Sequence, residues 1–149
     1  MPNWCDYSLN IKGDRDTIKK LHEKFCVPAD EQEESYESMK EYDLTRILPV
    51  PEELQIMSGF MNEDDPEYPA WVAQKEANVQ KYGVSDWYWW CVRNWGTKWP
   101  PSIANYDVEI IGDTGWINVS GQSAWSPPDG LVRNMTEMFP VKVVLSYEE

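Results

Sequence analysis

The chain has few of the residues that metal sites and covalent catalysis require. Its 149 residues include three cysteines and one histidine. Cys5, Cys26 and Cys91 are widely spaced and form no C-x-x-C pair. A zinc site takes about four close Cys, His or carboxylate ligands, so we expect neither a metal nor a cofactor. The helical pattern around His22 places it on a polar side, which argues against a Ser-His or Cys-His catalytic pair.

Basic residues and long apolar runs are scarce as well. Lys and Arg number 13 against 26 Asp and Glu, a net charge of −13. Binding to nucleic-acid phosphates needs a basic surface, so we expect no direct nucleic-acid partner. No apolar run approaches the ~18 residues of a membrane span, and the first residues do not resemble a signal peptide. With an odd number of cysteines, these features favour a cytoplasmic protein with reduced thiols and no membrane partner.

Acidic and aromatic residues are abundant, and the acids are concentrated in one stretch. The chain has 9 Trp, 8 Tyr and 3 Phe, and 42% of its residues are hydrophobic. That content and length predict a single domain over 1–149 with a substantial core. Residues 27–69 contain 13 acids and 2 bases, a net of −11, which leaves 13 acids and 11 bases elsewhere.

Alternating polar and apolar residues predict an α+β fold. The alternation indicates strands over 4–12, 106–110, 117–121 and 141–147. Helix-spaced apolar residues follow the first and third strands. The resulting order, β-α-insert-β-β-α-β, is typical of the ferredoxin-like split βαβ fold. We therefore expect a four-stranded antiparallel sheet in the order 4-1-3-2, with two helices on one face.

A long insert, residues 27–105, separates the first helix from the second strand. Its first part, 27–69, is acidic, and its second part, 70–105, is a helix followed by a Trp-rich segment. The helix is predicted over 70–82, with an apolar side formed by Trp71, Val72, Val79 and Tyr82. Five of the nine tryptophans fall within 87–99.

The acidic part of the insert is the first candidate site. A surface of one charge sign attracts a partner of the opposite sign, and we expect a host protein with a basic nucleic-acid channel. A simpler interpretation is that 29–41 and 61–67 are only solvated loops. The proposed partner-binding carboxylates are Glu31, Glu33, Glu34, Glu37, Glu41, Glu63, Asp64, Asp65 and Glu67.

A group of tryptophans is the second candidate site. In the predicted antiparallel sheet, the starts of strands 1 and 2 and the ends of strands 3 and 4 lie at the same end of the sheet. Two roles stay open: a second small core that fixes the insert, or an exposed binding surface. A catalytic role for Asp86, Cys91, Arg93 or Lys98 has no support in their spacing. The residues expected to converge at this end are Trp4, Trp95, Lys98, Trp99 and Trp125.

Short strings spread over the chain resemble a known family. They are MPNWC at 1–5, NWGTKW at 94–99, AWSPP at 124–128, and FP at 139–140 followed by YE at 147–148. Together they are similar to the YubB-type ferredoxin-like family of plasmid and phage proteins. The resemblance implies a ferredoxin-like domain and a mobile-element origin, and it implies little about biochemistry.

These observations favour a non-enzymatic accessory protein of a phage or other mobile element. We expect it to bind and inhibit a host factor in the bacterial cytoplasm, as an anti-CRISPR or anti-nuclease protein does. One alternative is a DNA mimic whose carboxylates replace phosphates. The other is an enzyme of nucleotide or nucleic-acid metabolism, for which fold analogy gives little support.

Overall fold

The computed structural model describes residues 3–28 and 41–148. None of the helices in these two ranges is both long and apolar enough to cross a membrane. Two short 3-10 helices, Leu44–Ile47 and Glu52–Leu54, lie between the first and second α-helices. The strands are β1 (Trp4–Asp14), β2 (Asn105–Ile111), β3 (Thr114–Ala124) and β4 (Lys142–Glu148). The α-helices are α1 (Arg15–Phe25), α2 (Tyr68–Tyr82), α3 (Trp87–Asn94) and α4 (Asp129–Met138).

The four strands form one antiparallel sheet in the order β2-β3-β1-β4. This order is the predicted 4-1-3-2 read from the other edge, so the α+β class and the strand order are confirmed. In the register, Trp4 lies opposite Ala124, and Asp6 lies opposite both Gln122 and Glu148. The start of β1 is therefore beside the ends of β3 and β4.

Strict alternation in β1 separates the core face of the sheet from its open face. Tyr7, Leu9 and Ile11 are buried, and the residues between them are exposed. Both α1 and α4 pack on the buried face, so the opposite face stays open to solvent. Each fully buried side chain of this size contributes about 1.5–3 kcal/mol to folding. The helix residues in this core are Ile18, Leu21, Phe25, Leu131 and Met135.

The insert contributes side chains to the same core. The backbone of Val27 donates to Glu41, and that of Asp43 donates to Phe25, both at 2.9 Å. These hydrogen bonds bring together the chain on either side of residues 29–40. The core residues from the insert are Leu44, Ile47, Leu54, Trp90, Cys91 and Trp95.

The second helix differs from the prediction in which side it buries. It begins at Tyr68 rather than 70 and ends at Tyr82, followed by the cap residue Gly83, whose φ of 79° is left-handed. Trp71, Val72 and Tyr82 are half-buried, as expected of the predicted apolar side, but Val79 is half exposed and the fully buried residue is Asn78. The Asn78 amide donates to Glu53 O at 2.9 Å and to Ser85 O at 3.0 Å. Asn78 can be buried although it is polar, because its amide group has hydrogen-bond partners.

The third helix was not predicted, because a run of aromatic residues shows no helical period and has low helix propensity. Its start is fixed by Asp86, which is buried and accepts hydrogen bonds from Tyr88 N at 3.1 Å and Trp89 N at 3.4 Å. Asp is among the best N-cap residues, so Asp86 is the sequence feature that could have predicted the start of this helix. The helix points Trp90 into the core and leaves Trp89 exposed.

Candidate functional site

The Trp-rich segments meet at one end of the sheet. Trp125 N donates to Asn3 O at 2.7 Å, next to the pairing of Trp4 with Ala124. The buried hydroxyl of Thr97 donates to Ala124 O at 2.9 Å. Strands β1 and β3 and the segment at 94–99 are therefore joined by direct hydrogen bonds.

Four of the five predicted residues form a surface group, which we call the Trp–Lys cluster: Trp4, Lys98, Trp99 and Trp125. The Lys98 Nζ lies 4.1 Å from the centroid of Trp99 and 4.0 Å from that of Trp125. The Trp4 and Trp99 ring centroids are 6.3 Å apart. A cation this close to two indole faces is held by cation–π attraction. The three tryptophans are nevertheless 50%, 39% and 50% exposed in chain order.

The fifth predicted residue, Trp95, lies in the core instead. It is 4% exposed, and its indole Nε1 donates to Leu48 O at 2.9 Å. Its ring packs edge-to-face on Trp90, with centroids 5.7 Å apart. Trp95 thus ties the insert to the core. The predicted group is therefore divided: Trp95 is part of the core, whereas Trp4, Trp99 and Trp125 are exposed.

A close contact between 94–97 and the start of α4 gives the cluster a rigid frame. Gly96 has a φ of 82°, and a Cβ there would lie 1.9 Å from Asp129 Oδ1. A Cβ on Gly130 would lie 2.6 Å from Asn94 O. Leu131 N donates to the carbonyl of Trp95 at 3.1 Å. Glycine is required at both positions because the two backbones touch.

Trp125 holds an unusual backbone conformation. Its φ is 69°, and within 3–28 and 41–148 it is the only non-glycine residue with a positive φ. This region costs a bulky L-residue about 1–2 kcal/mol. The adjacent Ser126 keeps the chain in place, because its N donates to Ala124 O at 2.9 Å and its hydroxyl donates to Gly96 O at 2.5 Å. Strain of this kind concentrates at functional sites.

The cluster lies at one end of the open sheet face, where most side chains are small and polar. Trp4 is on this face with Asp6 and Asn10. Asp6 accepts a hydrogen bond from Gln122 at 3.0 Å, and Asn10 donates one to Asn118 at 2.6 Å. Ile111 and Val144 are also exposed on this face, but its exposed tryptophans are gathered at the cluster.

The described part of the acidic surface is a turn that precedes α2. Glu63, Asp64, Asp65 and Glu67 are all exposed, and so is Glu41. Across 3–28 and 41–148, no Lys or Arg forms an ion pair with these five carboxylates. Phe60, three residues before the turn, is 84% exposed. The predicted residues Glu31, Glu33, Glu34 and Glu37 lie outside the described residues.

The residues weighed for catalysis have different surroundings. Asp86 is the buried cap of α3, and Arg93 is an exposed residue of the same helix. Burial raises the pKa of the Cys91 thiol to about 12. Cys91 is therefore a neutral core side chain near pH 7.

Sequence reasoning missed a group of four side chains formed by His22 and three neighbours, Cys26, Tyr42 and Tyr106. The Nδ1 of His22 lies 2.8 Å from the Tyr106 hydroxyl, and its Nε2 lies 3.6 Å from the Cys26 sulfur. The rings of Tyr42 and Tyr106 are stacked with centroids 3.8 Å apart. Burial raises the pKa of both Cys26 and Tyr106, so both groups are neutral near pH 7. His22, predicted on a polar side of the helix, is half-buried, because its ring packs from α1 against Tyr106 of β2.

No family model, no curated protein and no solved structure matches this chain. Function must therefore be argued from the side chains themselves.

Proposed function

We propose that this chain is a non-enzymatic binding protein that inhibits a host factor in a bacterial cell. The resemblance to YubB-type proteins supports a ferredoxin-like domain of phage or plasmid origin with an acidic insert. In this proposal the host factor is a defence protein with a basic nucleic-acid channel, such as a nuclease or CRISPR effector.

The observation that carries the proposal is the exposure of three tryptophans on a rigid frame. Tryptophan is enriched among the few interface residues that dominate binding energy. Exposed indoles that are already ordered lose little conformational entropy when a partner covers them. The strained Trp125 and the tight packing of Gly96 supply that order in the free protein. The Trp–Lys cluster is thus suited to slow the dissociation of a complex.

The acidic surface has a different task in this proposal. Unpaired carboxylates create a negative potential that attracts a basic partner and raises the association rate by 10–10³-fold, as estimated for steered encounters. The turn at 63–67 presents four such carboxylates. Phe60 beside them offers an apolar side chain to the same partner. Most affinity differences between related complexes lie in dissociation, so the two surfaces have separable effects.

The experiment compares three variants as bait for proteins from a bacterial lysate. The first replaces two cluster residues, Trp99→Ala and Trp125→Ala. The second neutralises the turn with Glu63→Gln, Asp64→Asn and Glu67→Gln. The third is a matched charge control elsewhere on the surface, with Asp107→Asn, Glu109→Gln and Glu137→Gln.

Rates are then measured for the protein that the unaltered chain retains, at about 50 and 300 mM salt, on either side of the ~0.1 M at which the Debye length is ~10 Å. We expect faster dissociation for the tryptophan variant. We expect at least tenfold slower association at low salt for the turn variant, with the charge control unchanged. Equal rates for all variants would refute the proposal.

The DNA-mimic alternative is favoured by one observation, the close spacing of Glu63, Asp64, Asp65 and Glu67. It predicts that duplex DNA elutes the retained protein at constant ionic strength, while a neutral polymer does not. Elution by neither would remove the mimic and leave the wider proposal intact.

A further inference from the structure

A groove lies between the end of α2, the turn at 83–85 and the exposed side of α3. Its volume is about 430 Å³, and seven residues line it. Four of them are apolar and one is charged, and none is acidic. The residues that matter here are Val79, Gly83, Val84, Trp89, Val92 and Arg93.

The apolar side chains of this groove are unusually accessible. Val79 is 50% exposed, Trp89 is 55% exposed and Val92 is 40% exposed. Val79 faces outward because α2 buries Asn78 instead, and Trp89 and Val92 lie on the exposed side of α3, opposite the buried Trp90 and Cys91. An apolar patch on a helix that buries a polar residue reverses the usual arrangement, and such patches mark binding sites.

The charge in the groove is Arg93. A Cβ added at Gly83 would lie 2.9 Å from its Nη1, so the guanidinium lies against this glycine, and both residues line the groove. In the described part of the chain, no Asp or Glu forms an ion pair with it. The chain carries 26 carboxylates for 13 bases. An arginine without a partner amid this excess has its fork of N–H donors available to a carboxylate from outside.

We propose that this groove binds a small carboxylic acid with a compact apolar body. The guanidinium of Arg93 receives the carboxylate through paired N–H···O bonds, and the body packs on Trp89, Val92 and Val79. The volume falls within the ~300–1,000 Å³ of small-molecule sites. A stable protein interface takes about 20–30 residues a side, more than the seven that line this groove. This site is independent of the proposed inhibition of a host factor.

The test uses 4-phenylbutyrate and its neutral amide, 4-phenylbutyramide, as probes of the whole ¹⁵N-labelled chain. The indole N–H signal of Trp89, assigned by its loss in Trp89→Phe, reports binding. We expect it to shift and saturate with the acid, and the amide to bind at least tenfold more weakly, because hydrogen bonds between two charged groups are stronger than those to a neutral amide.

Three variants sharpen the test. Arg93→Gln lowers the affinity for the acid to that for the amide and leaves the amide unaffected. Val79→Asp, which places a carboxylate in the groove, weakens the acid more than the amide. Arg15→Gln removes the same charge from the start of α1 and changes neither. The proposal is overturned by equal affinities for acid and amide, by no Trp89 shift with the acid, or by equal losses in Arg93→Gln and Arg15→Gln.

Discussion

Trp95 and Trp99 lie four residues apart in one short string and have opposite environments. Trp95 is buried against Trp90 and donates its indole N–H to Leu48 O, whereas Trp99 is 39% exposed over the Lys98 ammonium. The left-handed turn at Gly96 separates them. Trp95 therefore belongs to the core and Trp99 to the surface, although both come from the same short string. The division implies that changes at these positions have different consequences for stability and binding.

The largest expected difference is between Trp95→Ala and Trp99→Ala. Removing a buried Trp costs about 3–5 kcal/mol through lost burial and an unfilled cavity. Removing the partly exposed Trp99 costs less than half as much, because its ring has fewer core contacts to lose. Urea unfolding followed by circular dichroism measures both. Equal losses would show that the two rings are not divided between core and surface.

The turn between the two tryptophans gives the next largest effect. Gly96→Ala places a methyl group 1.9 Å from Asp129 Oδ1 at a φ of 82°. Overpacking costs about 1–3 kcal/mol, and the left-handed conformation adds about 1–2 kcal/mol. Gly112→Ala is the control, since its φ is 60° with nothing within 4 Å of the new methyl group. We expect its unfolding free energy to fall by the conformational part alone, and a similar fall for both would contradict the close contact.

A smaller effect tests the same division of buried and exposed residues within α2. Asn78→Ala leaves the carbonyls of Glu53 and Ser85 without their side-chain donor, which costs about 1–3 kcal/mol. Val79→Ala, one residue later, changes the unfolding free energy within about 0.5 kcal/mol, as surface substitutions usually do. Thermal unfolding of the two variants decides the matter. A larger loss of unfolding free energy in Val79→Ala than in Asn78→Ala would show that Val79, and not Asn78, is the buried residue.

The smallest effect concerns the cation in the Trp–Lys cluster. Lys98→Gln removes a cation–π interaction worth about 0.5–1 kcal/mol at an exposed site. Lys98→Arg keeps the charge and the stacking, so we expect it to retain stability. Double-mutant cycles with Trp125→Ala isolate the coupling. A coupling energy of zero for the Lys98 and Trp125 pair would mean that their cation–π contact does not contribute to stability.

The sheet and the meeting of the Trp-rich segments were predictable from the sequence, because both depend on period-two alternation and on a small set of allowed connections. The same alternation correctly places Leu9 and Ile11 in the core. The features that the sequence did not predict depend on tertiary contacts. Burial of Asn78 follows from two distant carbonyls, and the separation of Trp95 from Trp99 follows from the contact of Gly96 with α4. Neither contact has a local signature in the chain.

The most direct test of the binding role of the Trp–Lys cluster is photo-crosslinking in bacterial cells. Trp99→p-benzoyl-Phe places a reactive group within the cluster. Trp116→p-benzoyl-Phe places one at the other end of β3, beside Lys12. We predict that illumination joins a host protein to the chain from position 99 and not from position 116. Crosslinks of equal yield from both positions, or none from position 99, would contradict the proposal that this cluster is the binding surface.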